Sequence, residues 1–184
     1  MLTYDREALA HVSAPCGTIG FMDAPTATNP APSGEPRVEP SRAHFASLPV
    51  LVYGSLRKGQ SNAGLFARGR GVYGETIRIG GFVLVDGGAF PYAVPTAVEG
   101  ASIVCEVVAL SVERRGEVLD SLAHLEGYRS EAPEASLYLR EVVSWSDNHG
   151  MRREGFMYVP SEASQARIMR GGHPVIEGGD WLNR

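Results

Sequence analysis

Apolar positions fall along this chain in short runs, most of them punctuated by glycine or proline. Val50-Leu51-Val52-Tyr53 is an unbroken run of β-branched, aliphatic and aromatic residues, which predicts a short buried strand. Gly54-Ser55 then turns the chain tightly, and Gly54 carries no Cβ to obstruct a ligand. A short helix is expected between Ser61 and Arg70, holding Leu65 and Phe66 against the core. Thr76 to Ile79 alternates polar and apolar residues, as a half-buried strand does. Phe82 to Val85 forms a second apolar run, and Gly87-Gly88 turns it into the rigid, extended Phe90-Pro91-Tyr92-Ala93-Val94-Pro95. Ile103 to Leu110 is the densest strand pattern.

One longer segment has helical spacing. Val112, Val118, Leu119, Leu122 and Leu125 share a face over Val112 to Leu125. Ser111 is placed to cap the start, with Glu113 in the first turn. Gly127 suits the left-handed residue that ends a helix, which puts Glu126 at the C-terminus. Strands follow at Leu137 to Trp145 and Glu154 to Val159, joined through Asp147-Asn148-His149-Gly150. A short helix over Ser161 to Met169 and a glycine-rich tail containing Asp180-Trp181 close the chain.

Strands dominate and do not alternate with helices as in a doubly wound sheet, so the fold class is α+β with a curved or closed sheet. Residues 48–184 carry this pattern. Residues 1–47 read as an extension: a marginal helix over 4–12 with Asp5 as its cap, then a Pro/Ala-rich stretch from Ala24 to Pro40.

Bulk properties narrow the function. The net charge of −4 supplies no basic excess to neutralise phosphates, which argues against nucleic-acid binding. No apolar run reaches the ~18 residues of a membrane span, and the N-terminus lacks the basic start and apolar core of a secretory signal. A cytoplasmic location is the default expectation. Cys16 and Cys105 are too few for a disulfide framework, and Cys105 sits in an apolar strand as a small hydrophobe. The five histidines show no metal-binding spacing, and Ser55 lacks the Gly-x-Ser-x-Gly turn of a hydrolase nucleophile.

Tyr53-Gly54-Ser55-Leu56-Arg57-Lys58-Gly59-Gln60 at the end of a first strand resembles the signature of the γ-glutamylcyclotransferase-like family, in its small bacterial and AIG2-like branch. Phe90-Pro91-Tyr92-Ala93, Leu125-Glu126-Gly127-Tyr128, Tyr138-Leu139-Arg140 and Gly179-Asp180-Trp181 resemble further family elements in the same order, over about residues 49 to 184. The resemblance implies a small mixed β-barrel flanked by short helices. It implies an enzyme that folds a γ-glutamyl group onto itself, releasing 5-oxoproline and a free amine, with neither metal nor organic cofactor. Glu126 matches the catalytic glutamate. Tyr53, Gly54, Ser55 and Leu56 match the substrate loop, and Tyr138 matches a tyrosine that hydrogen-bonds substrate or Glu126. The implied partner is a small γ-glutamyl molecule.

A free glutamate ionises near pH 4.3, too low for a base at neutral pH. Burial beside Leu125 and Tyr128 and a helix C-terminus would both raise that value. His124 does not share a face with Glu126, so no dyad is expected. Arg57 reads as an added charge or an exposed side chain, Arg140 as an ion-pair partner and Tyr158 as packing. Two departures stand out: Ala123 where an acid is common, and Cys105 before Glu106 where glycine is common. They motivate a rival reading, a binding module of the same fold that recognises a γ-glutamyl or carboxylate ligand without turnover. A third reading makes residues 1–47 a tether that recruits a partner.

Overall fold

The computed structural model describes Phe45 and residues 47–184. The expected helix over 4–12 and the Pro/Ala-rich stretch lie outside the described residues. Among the described residues seven strands form: β1 (Val50–Val52), β2 (Val72–Gly80), β3 (Phe82–Asp86), β4 (Pro91–Pro95), β5 (Ser102–Ala109), β6 (Tyr138–Ser146) and β7 (Arg152–Pro160). The α-helices described beside them are α1 (Gly64–Arg68), α2 (Arg115–Glu126) and α3 (Glu162–Arg170).

The short run Val50–Val52 is unbroken because it is the middle of the main sheet. Five strands run in the order β2-β5-β1-β7-β6, with β1 antiparallel to β5 and parallel to β7. A strand covered on both faces has no position where a polar residue would meet water. Its alternate side chains enter two cores. Leu51 and Tyr53 pack with Ile103, Cys105, Trp145 and Met157. Val50 and Val52 pack with Phe66, Val108, Leu122 and Phe156. Phe45 joins this second core, its ring edge-on to Phe156 at 5.5 Å.

The second sheet is the β3–β4 hairpin. The tail runs along its free side: Ile176 N–H donates to the Leu84 carbonyl at 2.7 Å, and Asp86 N–H to the Pro174 carbonyl at 2.9 Å. The fold is therefore α+β as expected, but the expected barrel is not closed. The main sheet curls until its edge strands meet through side chains, the Trp145 indole of β6 donating to Glu75 of β2 at 3.2 Å. The backbone ladder ends at those edges, because the hairpin and tail form a separate layer.

Helix α2 starts later than its spacing suggests. Val112 is 88% exposed, and the Ser111 hydroxyl accepts from Arg114 N–H at 3.3 Å, closing a turn ahead of the helix. Glu117, not Glu113, occupies the first helical turn. Val118, Leu119 and Leu122 form the buried face. The C-terminus is as expected: Gly127 adopts φ 62°, and Tyr128 N–H reaches back to the Ala123 carbonyl at 2.9 Å.

Leu122 is fully buried between α2 and the sheet. Leu122→Ala is expected to lower unfolding free energy by about 2–5 kcal/mol, read by urea titration with an unchanged slope.

Candidate active site

Tyr53, Gly54, Ser55, Leu56, Glu126 and Tyr138 line one cavity of about 270 Å³. Phe90 of the β3–β4 turn, Pro91 at the start of β4, Leu125 of α2, Leu137 before β6 and Tyr158 of β7 also line it. The six site residues read from the sequence are thus brought together from three separate segments.

The loop after β1 is held from below. Its carbonyls are occupied: Gly54 accepts from Arg57 N–H at 2.9 Å, Ser55 from Asn62 N–H at 2.9 Å, and Leu56 from the Tyr73 hydroxyl at 2.6 Å. Among the described residues, the amides of Ser55 and Leu56 have no partner. They are donors available at the cavity wall. Gly54 is required for a reason other than ligand access. A Cβ there would lie 2.6 Å from Pro91 Cδ, so the loop packs directly on the β4 proline.

Arg57 is neither exposed nor directed at a ligand. It is buried, and its Nε donates to Glu106 of β5 at 3.1 Å while an Nη donates to Asp180 at 2.5 Å. Glu106 also accepts from Lys58 N–H at 2.8 Å. Burial alone would raise the Asp180 carboxyl. The Leu182 amide, Arg57 and Asn183 more than offset that and hold it below its ordinary value. One guanidinium therefore ties the loop, the sheet and the C-terminal segment together. Cys105 beside it is fully buried, and burial pushes its thiol up to about 12, so it is inert packing.

Glu126 sits at the end of α2, half-buried in the cavity wall, with no hydrogen bond or ion pair among the described residues. Burial raises its carboxyl to about 7. Its charge in turn disfavours ionisation of three phenols around it. Tyr53 is raised well above its ordinary value by burial, then by Tyr138 and Glu126. Tyr138 is raised by burial and then Glu126, and Tyr158 by burial to about 12. All three stay neutral near neutral pH, so each keeps its hydroxyl hydrogen to donate.

Their hydroxyls differ in availability. Tyr53 donates to the Tyr158 carbonyl at 2.8 Å, so its phenol fixes β1 to β7. The Tyr138 hydroxyl has no partner among the described residues. The Tyr158 hydroxyl accepts from Arg140 Nε at 2.9 Å, which leaves its own hydrogen for another acceptor. Tyr158 is thus part of the site and not simple packing. Arg140 makes no ion pair among the described residues. It donates to Tyr158 and to the Leu119 carbonyl, and lies 4.5 Å from the Tyr128 ring centroid. Counting back from the β6–β7 turn pairs Arg140 with Tyr158, a register the sequence pattern contained. His124 lines a different depression, a groove of about 550 Å³ between α1 and α2.

A family model for "Gamma-glutamyl cyclotransferase, AIG2-like" matches residues 50–183, and the chain belongs to that family. No curated protein matches it. Among solved structures, an AIG2-like protein from Mus musculus is similar with a TM-score of 0.52 and 18% identity, over 71% of this chain and 86% of that one. A uropathogenic E. coli-specific protein, c4763, is similar at 0.50 and 14%, over 73% and 91%. Kluyveromyces lactis allophanate hydrolase is similar at 0.52 and 14%, over 78% of this chain but 22% of that one. At these identities the likeness defines the fold alone.

Removing the central guanidinium would leave two partly buried carboxylates facing each other. Arg57→Ala is expected to cost about 3–5 kcal/mol of stability, measured by denaturant unfolding at neutral pH. The penalty should shrink in acid as the Asp180 carboxyl, held low by its partners in the native state, becomes protonated. Equal penalties at both pH values would show that the ion pairs are not its source.

Proposed function

We propose that this protein is a γ-glutamyl cyclotransferase acting on a γ-glutamyl amine or amino acid. The observation that carries the reading is Glu126: a carboxyl raised to about 7 in a cavity it shares with a donor-bearing loop. An acid that ionises near the working pH can both take and return a proton.

The substrate's α-amine attacks its own γ-carbonyl. Glu126 takes a proton from the attacking nitrogen. The amides of Ser55 and Leu56 face the oxyanion that forms on the carbonyl. Glu126 then delivers its proton to the departing amine. The lactam C–N bond forms, the original amide C–N bond breaks, and no water is consumed. Tyr138 and the Arg140-polarised Tyr158 donate hydrogen bonds to the glutamyl head. Holding the chain folded counts heavily, because the attack is intramolecular.

Release of 5-oxoproline from γ-glutamyl amides tests this directly. Wild type is expected to turn over, and Glu126→Gln, which keeps the shape, is expected to lose about 10²-fold or more in kcat. Turnover that survives the substitution would reassign the base. Binding of 5-oxoproline without turnover of any substrate would favour the binding module.

The same carboxyl has a stability signature. Its folded value lies above its unfolded one, so the native state binds the extra proton between about pH 4.5 and 7. Wild-type stability relative to Glu126→Gln should therefore fall as pH rises through that window, by on the order of 3 kcal/mol, and level off above it. A flat difference would mean that Glu126 ionises normally.

A further inference from the structure

We propose that the mouth of this cavity is an apolar subsite for the leaving amine, so that the preferred substrates are γ-glutamyl amides of alkyl or aryl amines. The inference rests on the cyclotransferase reading and names its substrate class. Three large apolar side chains stand exposed at the wall of this one cavity: Phe90 at 44%, Leu125 at 44% and Leu137 at 50%. They come from three different elements, the β3–β4 turn, the end of α2 and the approach to β6. All three share the cavity with Glu126, which follows Leu125 directly in the chain.

Each is held in position, which distinguishes a built rim from loose surface residues. The Phe90 ring packs edge-on to Tyr92 at 5.4 Å, and its carbonyl accepts from Gly87 N–H at 3.1 Å. Leu137 lies against Gly127, where an added Cβ would come within 3.0 Å of it. Its N–H donates to the Gly127 carbonyl at 3.2 Å and its carbonyl accepts from Ser161 N–H at 3.0 Å. Leu125 is fixed by the last turn of α2. The polar donors below bind the glutamyl head, and this rim meets whatever is attached to the γ-amide nitrogen. An apolar body there would bury rim surface and exclude water from Glu126, which keeps its carboxyl raised. The neighbouring groove between α1 and α2, with Arg68, Asp120 and His124, would instead favour a polar or charged amine.

The test is a homologous series of γ-glutamyl n-alkylamides, with γ-glutamylglycine as the polar comparison. In wild type, kcat/KM should rise about two- to fourfold per added methylene until the rim is covered, and exceed that for γ-glutamylglycine. The double variant Phe90→Ser/Leu137→Ser changes exposed side chains, and should flatten the rise while melting near the wild-type temperature. Binding of the same series to Glu126→Gln, by calorimetry, reads the subsite without turnover. A rise in affinity with chain length there would support the subsite even if wild type released no 5-oxoproline, in which case only the cyclotransferase reading falls. A flat series in both readouts, or preference for γ-glutamylglycine, would overturn the subsite.

Discussion

A single buried guanidinium holds the candidate site together. Arg57 follows the β1 loop by one residue, and its two carboxylate partners lie 49 and 123 positions away. With Glu106 fixed in β5 and Asp180 fixed by the tail, the loop cannot shift without uncovering a charge in a place that water does not reach freely. The loop amides at the cavity wall take their direction from that constraint. Pro91 against Gly54 adds a second restraint from the other sheet. Preorganised donors of this sort need little rearrangement when charge develops in front of them.

Glu126 presents the opposite electrostatic situation. Where Arg57 is paired with two carboxylates, Glu126 has no partner among the described residues and is raised by burial. Three neutral phenols surround it, one spent on holding β1 to β7 and two able to donate. The molecule thus spends pairing on the scaffold and withholds it from the acid to which the proposed reaction assigns the proton transfer.

Much of this was legible in the chain. The two-faced burial of Val50–Val52 showed as an unbroken apolar run, and the end of α2 showed as Glu126-Gly127, because only a left-handed residue ends the helix so sharply. What was hidden was mostly long-range. Nothing local links Arg57 to Glu106 and Asp180, so the arginine read as surface charge. Tyr158 alternates with core residues and read as packing, since its hydroxyl gains meaning only from Arg140 across the hairpin. The start of α2 was misplaced because Val112 has helical spacing with Leu119 but sits outside, ahead of the turn that Ser111 closes. The open main sheet was hidden too, because a curved sheet and a closed barrel share the same alternation along each strand.

The contact between Trp145 and Glu75 bears on how the molecule behaves in a crowded solution. An open five-stranded sheet has two edges, each a row of backbone donors and acceptors on which another chain can continue the sheet. Here the curl brings the two edge strands together, and a buried tryptophan paired with a glutamate fastens them. Neither edge then runs straight and unaccompanied. The bend that shapes the core also guards the protein against β-aggregation, without the backbone ladder ever having to close.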